Sequence, residues 1–146
     1  MTNQLSMQPE VGKSAPVVLG ILICERVLQD VLRRDFITCI NIHNGMSVQG
    51  FPAIVPLVFA FAQVAGSADV FEYQFRMVDK NNEVVAMSPV ARVEPLPNSS
   101  MTHKVISAFS GLVFNHEGIY NVLLSVNGQD VASLPFQVIK VDGDSA

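Results

Sequence analysis

The residues of this 146-residue chain that could do chemistry are few and scattered. His43, His103 and His116 stand alone, with neither His-x-His nor His-x3-His spacing, whereas a metal site needs ligands converging from fixed spacings. A cupin-like jelly roll would follow paired histidines with a glutamate, and His43-Asn44-Gly45 does not continue that way. Ser110-Gly111 lacks the Gly-x-Ser-x-Gly elbow that exposes a nucleophilic serine. Cys24 is followed by Glu25, whose charge opposes thiolate formation, and then by Arg26. Glu72 and Asp79 read as a solvated face and a turn residue. The glycines are dispersed, so no loop is built to cradle phosphate. The expectation is a chain with no catalytic residue, no metal and no cofactor.

Composition points to another mode of action. Hydrophobic residues make up 49% of the chain and charged residues 15%, against about 25% charged in an ordinary soluble domain. That apolar surplus is expected to be buried against a partner, a second copy of the chain first and an unidentified protein second. The net charge is −4, and Arg26, Arg33 and Arg34 form the one basic group, so nucleic acid is not an expected partner. No segment reaches the ~18–20 apolar residues of a membrane span. Pro16 to Cys24 is apolar but short, without a basic leader or cleavage site, and the expected setting is the cytoplasm. Cys24 and Cys39 lie inside apolar runs and read as buried free thiols. A bridge between them comes within reach only if their strands are neighbours.

The elements that would position these side chains are all strands. Residues 1–16 are polar and read as an N-terminal arm, 17–141 as one β-sandwich domain, and 142–146 as a polar tail. Val17 to Val27 is almost continuously apolar, as in a strand covered on both faces. Val27, Leu28, Val31 and Leu32 have helical spacing, so a short helix competes with a connection over Gln29 to Asp35 before a strand from Phe36 to His43. Asn44-Gly45 marks a turn. Leu57, Phe59 and Phe61 share one face of the next strand and Val58, Ala60, Ala62 and Val64 the other, so both faces should be covered. Over Val70 to Val78, Phe71, Tyr73, Phe75 and Met77 alternate with Glu72, Gln74 and Arg76, giving one core face and one wet face. Asp79 to Glu83 is a turn returning through Val84 to Met87, and prolines confine Val90 to Val93 to an edge. His103 to Phe114 is a strand bent near Ser110-Gly111.

The last hairpin carries a register claim. Asn127-Gly128 enters positive φ at little cost and is a strong hairpin signal. Tyr120, Val122, Leu124 and Val126 share one face, and Leu134, Phe136 and Val138 must share the facing one. A strict two-residue turn pairs Val122 with Ser133 and turns Leu134 to the wrong side. Either the loop has three residues or a bulge lies between Val131 and Leu134.

The segment His116-Glu117-Gly118-Ile119-Tyr120-Asn121-Val122 resembles the E–F corner of immunoglobulin-like domains, with Gly118 and Tyr120 matching its glycine and tyrosine. Val122 stands at the position of the disulfide cysteine, and the chain has no tryptophan. The resemblance implies that the Tyr120 hydroxyl bonds backbone a few residues upstream. A wider set of short segments spans Ile21 to Val138: Ile23-Cys24-Glu25-Arg26-Val27-Leu28-Gln29-Asp30, Phe51-Pro52-Ala53, the charged-turn hairpin, Glu117-Gly118-Ile119-Tyr120, Val126-Asn127-Gly128 and Pro135-Phe136-Gln137-Val138. Together they resemble a family of small bacterial immunoglobulin-like sandwich proteins of unknown function. That resemblance implies a bacterial cytoplasmic setting and supplies no catalytic residue.

The expected fold is therefore all-β, an antiparallel immunoglobulin-like β-sandwich of about seven to nine strands. The expected function is a non-enzymatic, self-associating binding or structural module working through an apolar face or a sheet edge. The candidate surface is the proline-bounded stretch carrying Phe51, Pro52, Ile54 and Pro56. The alternative is a small-ligand carrier in which Phe59, Phe61, Phe71, Tyr73 and Phe75 line a cavity between the sheets.

Overall fold

Alternation in β5 (Phe71–Val78) sets the frame of the molecule. Phe71, Tyr73, Phe75 and Met77 are buried while Glu72 is exposed and Gln74 and Arg76 are half-exposed, so this strand faces a core on one side and water on the other. In this computed structural model, which describes residues 16–65, 69–95 and 102–142, ten strands form two sheets packed over that core. One sheet has the order β2 (Ile37–His43), β1 (Val17–Gln29), β4 (Ala53–Ala65), β8 (Thr102–Phe114). The other runs β3 (Gly45–Val48), β10 (Gln129–Lys140), β9 (Gly118–Val126), β5, β6 (Val84–Met87), with β7 (Ala91–Val93) also paired to β5. The strand number exceeds the expected seven to nine because of β3, whose four residues are too short to show a pattern beside Asn44-Gly45; β7 falls within the expected edge segment Val90 to Val93. The expected arm lies outside the described residues except for Pro16, as does the tail beyond Asp142 and most of the loop Pro95–Met101.

The core is layered large against small. From β4 come Val58, Ala60, Ala62 and Val64, all buried. Opposite them stand the rings of β5 and the inward residues of β9 and β10, Tyr120, Val122, Leu124, Phe136 and Val138. Phe114 packs edge-on to Tyr120 at 4.7 Å between centroids and stacks on Phe136 at 5.8 Å, separations at which aromatic pairs attract. Phe59 and Phe61 are on the other side of β4, away from this core, because the small residues take the inner face.

The β9–β10 hairpin holds the extra residue that its apolar pattern demands. Asn127 (φ 52) and Gly128 (φ 83) form a two-residue turn with both residues at positive φ, the backbone that matches the strand twist. Gln129 pairs with Val126 and Asp130 with Ser125, then Ala132 pairs with Leu124, leaving Val131 as a bulge. The bulge sits at the first residue of the expected interval. Leu134 then faces Val122, and Phe136 faces Tyr120, on the core side. Asn127 also ties the turn to β5, its N–H donating to Glu72 O (2.8 Å) and its side-chain oxygen accepting from Glu72 N (3.0 Å).

Three features depart from the sequence reading. Asn44-Gly45 is no hairpin turn. Asn44 alone links β2 of one sheet to β3 of the other, and β3 pairs with β10 in parallel, so the sandwich is not wholly antiparallel. β1 is not covered on both faces throughout: Ile23 and Cys24 are fully buried, but Val17, Leu19 and Leu28 are exposed. Of the two sequence readings for this segment the connection is the one found: residues 30–36 join β1 to β2 without helix, and the two strands form a long hairpin around them. Within β8, Gly111 takes φ 67 at the position where the sequence reading puts a bend, and the pairing with β4 continues across it in register.

Candidate functional site

The β1–β2 hairpin does not continue straight from its sheet. Asn41 adopts φ 57 and its side-chain amide donates to Glu25 Oε1 at 2.6 Å, while the Cys24 thiol bonds Arg26 O at 3.4 Å. Lys104 is level with Gln63, and Gln63 with Gly20, so a straight β1 would carry Leu28 roughly 27 Å past that level. Yet Lys104 lines one surface hollow, about 620 Å³, together with Leu28, Asp30, Arg33, Phe36 and Thr38. The hairpin end therefore folds back over the outer face of the four-stranded sheet. Cys24 is paired with Phe59 and Ile42 and is wholly buried. Phe59 and Phe61 are half-buried.

The tip of this hairpin is built by one carboxylate. Asp30 Oδ1 accepts from Leu32 N (2.9 Å) and Arg33 N (2.8 Å), and Asp30 Oδ2 pairs with the Arg33 guanidinium at 3.1 Å. These contacts with Arg33, and then Leu32 N, hold the Asp30 carboxyl below its usual range. Arg33 lies over the Phe36 ring at 4.0 Å, Asp30 N donates to Phe36 O, and the Gln29 side chain donates to Arg34 O. Val31 and Leu32, at the tip, are 87% and 91% exposed.

Most of the large exposed apolar side chains belong to this side of the molecule: Val17, Leu19, Leu28, Val31, Leu32, Phe36, Ile42, Ile54 and Leu57. The second sheet is mixed on its outside: Glu72, Gln74 and the two-pronged Arg76–Asp130 ion pair at 2.9 and 3.1 Å lie on β5 and β10, while Val84, Met87, Val90, Ile119, Val131 and Ile139 are also exposed. The proline-bounded stretch is split between inside and outside. Phe51 turns inward and packs against the core with Ala53 and Val55. Pro52 and Pro56 are exposed and Ile54 is 65% exposed, opposite Val113 of β8. The hairpin tip was not singled out from the sequence. Its signal is Val31-Leu32 between Asp30 and Arg33-Arg34, an apolar pair at a turn, which helical spacing with Val27 and Leu28 disguised.

The residues whose types could do chemistry form no catalytic cluster among the described residues. Cys24 and Cys39 are on neighbouring strands but out of step, Cys24 opposite Ile42 and Val27 opposite Cys39, and both are free thiols. Burial, and then the nearby Cys39 thiol, push the Cys24 thiol up to about 11, which keeps it protonated and a poor nucleophile at neutral pH. His103 is buried and stands edge-on to Phe71 at 5.1 Å, with Nε2 bonded to nothing, and burial lowers its pKa. Among the described residues, no three His, Cys, Asp or Glu side chains come together as metal ligands. No helix among them is long and apolar enough to cross a membrane.

The corner before β9 has the geometry that its sequence resembles. Tyr120 is buried, its hydroxyl donates to His116 O at 2.6 Å, and the His116 ring stacks on it at 5.7 Å. Gly118, at φ 144, opens the strand between them. Two face-to-face sheets with this tyrosine corner make an immunoglobulin-like sandwich. Residues 20–139, nearly the whole sandwich, match the model of a family of unknown function, DUF6941.

The chain belongs to the DUF6941 family. Curated protein sequences contain no match to this DUF6941 chain. Among solved structures it is similar to an alkylpurine DNA glycosylase from Pseudomonas fluorescens bound to DNA containing an abasic site analog, at 10% identity and a TM-score of 0.46. That likeness covers 94% of the DUF6941 chain and 34% of the glycosylase, so the chain spans about a third of that enzyme's length. It is also similar to an immunoglobulin-like protein from Pseudomonas aeruginosa, at 10% identity and a TM-score of 0.38, over 86% of this chain and 98% of that one.

Proposed function

We propose that this DUF6941 protein is a non-enzymatic binding module that associates with itself through the apolar side of its four-stranded sheet. The observation that carries this reading is that nine of the fifteen exposed large apolar side chains among the described residues lie on that side, from Val17 and Leu19 to Ile54 and Leu57. Four strands spaced about 4.8 Å apart, three of them 13 residues long, present a face of roughly 800 Å². That is about one partner's share of a standard stable interface. The hairpin folded over part of this face replaces what it covers with its own Leu28 and Phe36. Two free thiols suit a reducing compartment such as the bacterial cytoplasm.

The small-ligand carrier draws less support. Phe59 and Phe61 face outward, and Phe71, Tyr73 and Phe75 are buried within the packed core. The hollow of about 440 Å³ beside β3 is lined by Ser47, Ile119, Pro135 and Gln137 at the surface of the second sheet, not by this core. Multi-angle light scattering across a dilution series tests the proposal. Association at micromolar concentration is expected, and a monomer at every concentration would sink it.

A further inference from the structure

We propose that the Val31–Leu32 tip is a docking element whose receptor is an apolar hollow on a second copy of this chain. This rests on the self-association reading and names the contact that makes it. The hollow, about 250 Å³, is lined by Ile21, Leu22, Ile23, Ile42 and Leu134, with His43 and Asn44 at its polar end.

Single exposed apolar residues are ordinary on a protein surface. Two adjacent aliphatic side chains, almost fully exposed on a turn fixed by Asp30 and by the Arg33–Phe36 stack, are not explained by packing among the described residues. A turn already held in shape loses little freedom on binding, which favours affinity. Asp30 and Asp35 offset Arg33 and Arg34, so the tip brings no net charge. An anionic lipid surface would gain no Coulomb attraction from it, whereas an uncharged apolar hollow accepts it without burying an unpaired ion. Size also agrees. A cavity of about 150 Å³ lined by aliphatic and aromatic side chains is enough to take up benzene, so the hollow has room for two aliphatic side chains.

Tip and hollow occupy different places on one copy. The tip ends the hairpin over the outer face, and the hollow lies at the margin where β1, β2 and β10 meet. The contact is therefore between unlike surfaces, the tip of one copy in the hollow of the next.

Sedimentation velocity on the full chain and two variants tests this. In Val31→Ser/Leu32→Ser the tip is lost, and its exposure predicts an unchanged melting temperature. In Ile42→Lys a charge is placed at the hollow's exposed rim. Each variant alone should associate about 100-fold more weakly or worse. Mixed together they should form a one-to-one dimer that grows no further, because an intact tip meets an intact hollow once. If the full chain associates and the tip variant associates equally well, the docking role is overturned while self-association stands. A full chain that stays monomeric overturns both.

Discussion

Replacing Tyr120 by phenylalanine removes one oxygen and nothing else, so it isolates what the corner contributes. The hydroxyl donates to His116 O across 2.6 Å from a ring that is 1% exposed. A net hydrogen bond is worth about 0.5–1.5 kcal/mol, and its loss leaves the part-buried His116 O without this donor. The ring remains, so no cavity opens. A hydrogen-bond loss of that size, in a domain of this length, lowers the melting temperature by roughly 1–6 °C. Tyr73→Phe is the matched control. Its hydroxyl donates to Ile106 O at 2.8 Å in an equally part-buried setting, so its loss should also cost about 0.5–1.5 kcal/mol. Tyr73 is level with Val126, six residues along β9 from Tyr120 and roughly 20 Å away, so the double variant should add to within about 0.5 kcal/mol. Urea titration followed by circular dichroism reads all three, with unchanged slope expected. A Tyr120→Phe midpoint equal to or above that of the unaltered chain would refute the reasoning.

Gly45→Ala should break the parallel pairing of β3, because a Cβ there would stand 2.6 Å from the Gln137 backbone oxygen. Hydrogen exchange should show lost protection at the Gln137 and Val141 amides, which donate to Asn44 O and Val48 O, and intact protection would contradict this. His103 should make the fold acid-sensitive. Its folded pKa lies below the ordinary 6.5, so the unfolded chain binds the proton first and stability, complete above about pH 6.5, falls as pH drops through the folded value. His103→Phe keeps a ring against Phe71 and should flatten that fall in urea titrations at pH 5 and 7, whereas an identical fall in the variant would assign it elsewhere.

The legible parts of this fold are those in which one face differs from the other. β5 could be placed because Glu72, Gln74 and Arg76 interrupt its rings, and the β9–β10 bulge because the apolar parity of Val122 and Leu134 fits no strict two-residue turn. β4 gave no such contrast. Both its faces are apolar, and which of them met the second sheet was decided by volume, the alanines leaving room for the rings of β5. β3 was hidden by its length, since four residues beside Asn44-Gly45 look like a turn until Gln137 is brought alongside by the rest of the chain. The surface was harder still. Phe51 and Ile54 are three residues apart in one apolar stretch, and only the backbone path sends one into the core and the other to solvent. Val31 and Leu32 have helical spacing with Val27 and Leu28, but the pairing of Gln29 with Ile37 leaves only residues 30–36 between the strands, too few for a helix.

The two sheets are fastened at opposite margins. On one side the chain passes from β2 to β3 through Asn44 alone, so covalent backbone joins the sheets there. On the other, the Tyr73 hydroxyl reaches across to Ile106 O, beside the approach of β6 to β8. Sheets tied at one margin can breathe like a book, but sheets tied at both resist opening and sliding alike. Slow motion in this molecule should therefore concentrate in the β1–β2 hairpin, which bends away from its sheet at Glu25 and Asn41 and can swing without parting the core.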